Sequence, residues 1–522
     1  MPLSETHSRR DFLKLSGAAA GLLASGGALA ACGGSAAAQK TGAGTAARPR
    51  PGGALRAAIT GGTSSDTLDA QAPIQVVDFA RVVQLYNSPV QFDLDGRPQL
   101  SLMEEITPNP TATEWVMRLR PGVTFHDGKT ASADDVIFSF QRIMKLGLPG
   151  APQMSLLDVQ HLRKLDDRTV MFPFRSPFSP FVQVLCNYYY YIVPVGYDPK
   201  NPIGTGPFKY KSFTPGEESV FVKNENYWEA GLPYLDQVVI TDFPDETSQI
   251  NALLSGQVDV IDALSAQSVN SLRSQNVPVV IADGGQITPF TMRVDVAPFN
   301  DVRVRQAMRY IVDRPQMREL IFDGYGLLGN DLYAILDPDY DHSMPQRVQD
   351  IDMAKSLLAA AGHDGLQVQL VTSAINAGTV QAATVFAQQA KSAGVTVNLQ
   401  QVTPTDFFGP NYLKWTFSQD EWESLYYLTM AGESSVPTAP FNENHFANPQ
   451  FDSLYAQALA TLNPTLQREL IHEMQTIEWN EGGYIIPYFT PFIDAHASKL
   501  HGVQPGKELP LSNFEFKYFW FD

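Results

Sequence analysis

His126 and Asp127 stand side by side at the end of GVTFHDG, residues 122–128. An imidazole next to a carboxylate could be a general base with its orienting acid, or two ligands of a metal. The spacing speaks against both. Neighbours on a strand project to opposite faces, and aspartate before glycine is turn composition, so the pair reads as a strand end running into a turn. His472-Glu473-Met474-Gln475-Thr476 opens like a zinc-peptidase helix, but Thr476 occupies the place of the second imidazole, without which zinc is not held. Gly324, Gly326 and Gly329 fit G-x-G-x-x-G, yet a helical pattern precedes them and Asn330-Asp331 follows, so no strand-to-helix turn is offered to a pyrophosphate. Asp494, His496 and His501 share no face of a regular element, a poor start for a transition-metal site. No G-x-S-x-G elbow and no Walker A pattern occurs. A hydrolase built on His126, Asp127, Asp494 and His496 is the rival reading and a metal or metallophore receptor a third; no cofactor and no resident metal is expected.

Binding chemistry is better represented. Trp415, Phe417, Trp422, Tyr426 and Tyr427 crowd one segment together with Asp420, Glu421 and Glu423. Asn187 is followed by four tyrosines, 188–191, which cannot all be buried at strand period two. Aromatic walls carrying a few polar groups are what small-ligand clefts use. Arg293, in TMRVD, could pair with a ligand carboxylate. Ser64 and Ser65 follow the apolar run ALRAAIT (54–60), and loops at the carboxyl ends of strands commonly line ligand crevices.

The elements that must position these residues alternate between strand and helix. EWVMRL (114–119) is mostly period two, with VTF (123–125) expected back as its partner after a Pro121-Gly122 turn. Ser132 and Asp135 form a capping box for a helix with Val136, Phe140 and Ile143 on one face. DQVVITDF, an Asp245-capped helix and VDVI make a βαβ unit. A second α/β region starts with an Asp301-capped helix and includes the strands LQVQLVT and VTVNLQQV, a helix over 380–393, and a returning strand over 484–497. At 522 residues the chain exceeds one ordinary core, and two such regions imply two lobes about a cleft. A net charge of −18 repels phosphate backbones, which excludes nucleic acid as a partner.

The first residues are addressing rather than fold. SRRDFLK (8–14) ahead of an Ala/Gly/Leu stretch resembles a twin-arginine export signal, and LAACG (29–33) resembles a lipobox with Cys32 as the lipidated residue. Residues 33–53 read as a flexible tether. Cys186 is the only other cysteine, so with Cys32 acylated no intrachain disulfide forms.

EWVMRLRPGVTFHDG (114–128) followed by SADDVIFSFQR resembles the hallmark of bacterial extracellular solute-binding proteins, family 5, the dipeptide, oligopeptide and nickel receptors of ABC importers. LYNSPVQFDLDG, GTGPFKYKSFTPGEESVFVKNENYW, APFNDVRVRQAMRYIVDR, IDMAKSLLAAAG and FANPQFDSLYAQA continue the likeness over nearly all of the mature chain. The resemblance implies an α/β, two-lobed periplasmic-binding-protein fold of type II, cluster C, with an extra subdomain inserted in lobe one. Mapped here, 1–31 is the signal, 32–52 the tether, 53–91, 203–287 and 488–522 lobe one, 92–202 the insertion and 288–487 lobe two. Hinge strands are expected near 284–291 and 486–492. The implied protein is a monomeric, exported, lipid-anchored receptor on the outer face of the cytoplasmic membrane. It captures a peptide or peptide-like solute, with an opine, sugar or metal chelate as alternatives, and delivers it to an ABC permease. The site residues expected are Ser64, Ser65, Asn187, Tyr188, Tyr190, Arg293, Asp420, Trp422, Glu423 and Tyr426. Peptide-binding members resemble a pattern of tryptophan, a nearby aspartate that holds the peptide ammonium, and Asp-Pro. Here Trp422 is followed by Glu423-Ser424-Leu425-Tyr426-Tyr427, so Glu423, Glu421 or Asp420 would have to substitute.

Overall fold

The computed structural model describes residues 48–522; the expected export signal, Cys32 and most of the expected tether lie outside the described residues. The strand Ala54–Thr60 is the centre of a seven-stranded sheet. It pairs in parallel with Gln237–Phe243 on one side and Val260–Ile261 on the other. Leu55, Ala57, Ala58 and Ile59 are all fully buried, as a parallel strand covered on both faces requires. Asp245 accepts the Ser248 amide at 2.9 Å and starts the helix Glu246–Leu254 of this βαβ unit. Pro491–His496 and Val279–Asp283 complete the sheet at one edge, Glu218–Lys223 and Phe208–Thr214 at the other. This is lobe one.

Lobe two is built on a five-stranded sheet in the order Thr396–Val402, Gln367–Ser373, Phe417–Gln419, Phe290–Met292, Tyr484–Ile485. Helices Val302–Tyr310, started by Asp301, and Thr379–Ala390 cover it with a core that includes Phe299, Met308 and Phe386. Behind the sheet lies a fully buried ionic cluster. Asp331 accepts from Arg314 through both oxygens at 2.6 Å, from Arg347 at 2.6 Å and from the Ile486 amide at 3.0 Å. Arg347 also lies over the Trp479 ring, 3.9 Å from its centroid.

The chain crosses between the lobes twice, at 284–289 and 486–490, and the crossings run side by side: the Thr490 amide donates to the Gln286 carbonyl at 2.9 Å. A Cβ on Gly284 would come within 2.7 Å of the Thr490 carbonyl, so only glycine lets the crossings approach so closely.

The inserted region holds a four-stranded antiparallel sheet, Met103–Pro108, Glu114–Leu119, Thr169–Pro173, Arg163–Asp166. The helix Ala133–Leu146 carries the capping box of Ser132 and Asp135. Two local expectations are corrected. Residues 123–125 do not pair with Glu114–Leu119; that strand takes Met103–Pro108 and Thr169–Pro173 instead, and Thr124 makes only a single bridge to Thr130. The segment 484–497 is not one strand but three pieces, Tyr484–Ile485, Tyr488–Phe489 and Pro491–His496, because Pro487 and Pro491 lack the amide a continuous ladder needs.

Candidate interlobe binding site

His126 performs no acid–base task with Asp127. Its Nδ1 accepts the Gly204 amide at 3.2 Å and its Nε2 donates to the Gly206 carbonyl at 3.1 Å, while Asp127 turns away to accept the Lys129 amide at 3.0 Å. Burial pushes the imidazole down to about 4, so it is the neutral ring that staples the inserted subdomain to the entry of strand Phe208–Thr214. His501 stacks on Trp520 and meets Asp522 at 2.7 Å, and His496 turns to the Ala497 carbonyl. Among the described residues no three His, Cys, Asp or Glu side chains converge as a metal site.

Binding chemistry gathers where the lobes meet. An enclosed space of about 30 Å³ is lined from lobe one by Phe79, Phe92, Glu508 and Leu509, from the inserted region by Gln183, Val184, Asn187 and Tyr188, and from lobe two by residues 423–426 and Thr429. That is room for about one water molecule, so a larger solute enters only when the lobes part. A groove of about 550 Å³ elsewhere, lined by Arg120, Trp228, Glu229 and others, draws all its walls from before Asp283 or after Thr490 and is therefore not opened or shut by lobe movement.

Strand alternation explains how lobe two serves this space. After strand Phe417–Gln419, the residues Asp420, Glu421, Trp422 and Glu423 are buried, half-buried, buried and exposed in turn. Asp420 and Trp422 face into the lobe. The Trp422 indole donates to Glu443 Oε1 at 3.0 Å, and its backbone exchanges two hydrogen bonds with Ile287 of the first crossing, at 3.0 and 3.1 Å. Asp420 and Glu443 touch as an acid pair; burial raises both, Asp420 to about 6 and Glu443 well above the usual range. Glu423 faces the other way. It lines the space between the lobes, and the residue is exposed.

More acids stand around it, each raised chiefly by burial: Glu421 and Glu433 to about 7, and Glu508 to about 8, with Glu423 adding repulsion in every case. Tyrosines mediate between lobes. The Tyr189 hydroxyl reaches Glu423 Oε1 at 3.5 Å, and the Tyr426 hydroxyl donates to the Gly96 carbonyl at 3.1 Å with its ring 5.8 Å from Phe92.

Of the residues singled out by sequence, Asn187, Tyr188, Glu423 and Tyr426 line this space, and Asp420 and Trp422 buttress it. Ser64 and Ser65 lie elsewhere, on an exposed turn of lobe one beside Gly216. Tyr190 is a core residue, fully buried, donating to the Gly150 carbonyl at 2.7 Å and stacked on Phe140. Arg293 is engaged through two nitrogens with Asp295, at 3.0 and 2.6 Å, so its guanidinium is already satisfied within lobe two. Sequence reasoning missed Gln183, Thr429 and Glu508. Gln183 lies on the short helix Phe181–Val184 just before Asn187; Glu508, far along the chain in GKELPLSN, carries no local signal.

The profile of bacterial extracellular solute-binding proteins, family 5 Middle, matches residues 97–449. The chain is 26% identical over 452 residues to heme-binding protein A of Haemophilus influenzae, covering 77% of this chain and 81% of that protein. It is 22% identical over 465 residues to the glutathione-binding protein GsiB of Escherichia coli, covering 84% and 90%. Among solved structures, the periplasmic binding protein DppA of Helicobacter pylori, in complex with the peptide STSA, superposes with a TM-score of 0.77 at 21% identity, covering 90% of this chain and 98% of that one. With two α/β lobes joined by paired crossings and the profile spanning most of its length, the chain belongs to the bacterial extracellular solute-binding proteins, family 5.

Proposed function

We propose that this protein is the substrate-binding component of an ABC importer and that it captures a peptide or peptide-like solute in the space between its lobes. The observation that carries the reading is that this space draws its walls from both lobes beside the paired crossings, so hinge motion opens and closes it. Asn187, Tyr188, Glu423 and Tyr426 are the residues assigned to the solute, with Trp422 and Asp420 holding Glu423 in position. Glu423 takes the part of the ammonium-holding carboxylate, since a buried ammonium needs a charged partner. The names of relatives, which include glutathione-binding protein and a peptide complex of DppA, support a peptide-like ligand.

The test is titration of the purified protein with a peptide library, followed by tryptophan fluorescence, since Trp422 touches the first crossing. A saturable change is expected, and Tyr426→Ala should weaken the best ligand at least about 10-fold through loss of a buried aromatic contact. A protein purified empty that responds to no peptide in the library would overturn the assignment.

Export and anchoring belong to the same proposal. The match of residues 8–14 to a twin-arginine signal and of 29–33 to a lipobox supports a monomeric receptor tethered through Cys32 to the outer face of the cytoplasmic membrane, where it meets the permease. In detergent phase partitioning of cell extracts the native protein should follow the detergent, and Cys32→Ala should move to the aqueous phase; an unchanged partition would refute lipidation.

A further inference from the structure

Resting on the assignment of the interlobe space as the solute site, we propose that it is built for a solute bearing two cationic centres, ammonium or guanidinium, one held by Glu423 from lobe two and the other by Glu508 from lobe one. The lining contains these two carboxylates and no lysine, arginine or histidine. A ligand carboxylate would therefore find no counter-charge there, whereas a cation finds one on each side.

The unsatisfied atoms point the same way. Glu508 is only 7% exposed, and its Oε1 has no hydrogen-bond partner in the protein. Asn187, 6% exposed, has an unpartnered Oδ1 and Gln183 an unpartnered Oε1, and both residues line the same space. All three are acceptors. A buried acceptor left without a donor is costly and rare, and three around one space call for a group with several N–H donors. The rings of Phe79, Phe92 and Tyr426 give such a group faces to lie against.

The two carboxylates also come from opposite lobes. Shutting the lobes brings them together, and Glu423 lies close enough to Glu421, Glu433 and Glu508 to help raise all three. Without a cation, closure must bury like charges or draw protons onto them; with a dication between them the same groups ionise and draw the lobes shut. A ligand shifts such an equilibrium only by its differential affinity for the closed state, and here that difference comes from charge as well as fit.

Calorimetric titration of the full chain with tri-lysine amide, spermidine, tri-alanine and tri-glutamate tests this. A cationic probe should bind at least about 100-fold tighter than tri-alanine, tri-glutamate should not bind, and added salt should weaken the cationic probe. Glu508→Gln and, separately, Glu423→Gln should each cut the preference for the cationic probe over tri-alanine by about 30-fold or more. Both are isosteric and relieve a buried charge, and a retained thermal transition will show that they fold. Tighter binding of spermidine assigns the charges to a polyamine, and tighter binding of tri-lysine amide assigns them to a basic peptide; either supports the proposal. If tri-alanine or tri-glutamate binds as tightly as the cations, or neither glutamine variant changes the preference, the proposal falls while the receptor assignment stands. If no probe and no library peptide binds, both fall.

Discussion

Asp331→Ala is expected to destabilise lobe two by about 3–5 kcal/mol, the cost of leaving buried charge without its partner. Asp331 is the carboxylate that faces both Arg314 and Arg347, and all three side chains are buried. Burial alone would raise its carboxyl; the two guanidinium groups override that and hold it below the usual range. Removing it leaves two guanidinium groups facing each other in a dry site, with Arg309 beside them already pushed down to about 9 by burial. The loss does not stay local, because Asp331 also accepts the Ile486 amide at the start of the second crossing. Chemical denaturation reads the effect directly. Asp331→Asn, which keeps the shape and part of the hydrogen bonding, should fall between the native protein and the alanine variant. A loss below about 1 kcal/mol for alanine would mean the arginines are satisfied by the surrounding carbonyls alone.

The second large effect is one of pH. Asp337, Asp420, Glu421, Glu433, Glu478 and Glu508 are all raised chiefly by burial, to values from about 6 to about 8. In the unfolded chain these groups ionise near pH 4, so between about pH 4 and 8 the folded state binds more protons than the unfolded state. Stability contributed by these groups is therefore present on the acid side of that window and lost as pH rises through the folded values. Two contributions oppose it at lower pH. His126, held down to about 4, stays neutral while the unfolded histidine gains a proton below about 6.5, and carboxylates held low, such as Asp301 at about 2, lose their contribution as pH falls below about 4. The unliganded protein should be most thermostable near pH 5 and lose on the order of a few kcal/mol by pH 8. A scan of melting temperature against pH checks this. A profile flat from pH 5 to 8, or one that rises, would show that these buried acids are ionised and hydrated.

What the sequence discloses and what it hides divide along range in the chain. Caps depend on three or four consecutive residues, and Asp245, Asp301 and the Ser132–Asp135 box lie where their local chemistry puts them. Residues 123–125 looked like a partner for Glu114–Leu119 because the turn between them is good; the strand instead pairs with Met103–Pro108 on one side and, on the other, with Thr169–Pro173, fifty residues on. The tyrosine run was legible as something other than a strand, but not which members would face the cleft: Tyr188 lines it, while Tyr190 is fixed in the core by Gly150, a residue no local pattern links to it. Arg293 looked free until Asp295, two residues on in the turn after strand Phe290–Met292, is seen to hold it. Glu508 stayed hidden because its role exists only once the C-terminal segment returns to lobe one and lobe two closes upon it.

The alternation of residues 420–423 separates two jobs along one short extended stretch. Asp420 and Trp422 are committed to the frame, through the acid pair and through Ile287. Glu423 lines the space itself, touched among the described residues only by the Tyr189 hydroxyl at 3.5 Å, and Glu421 stands behind it on the same side. Inheritance can therefore alter the cargo without altering the mechanism: exchanging the odd-numbered positions changes which solute is welcome, while the even-numbered ones keep the moving parts aligned. A lineage of receptors could diversify its diet by single substitutions there, each new taste inheriting a working clasp.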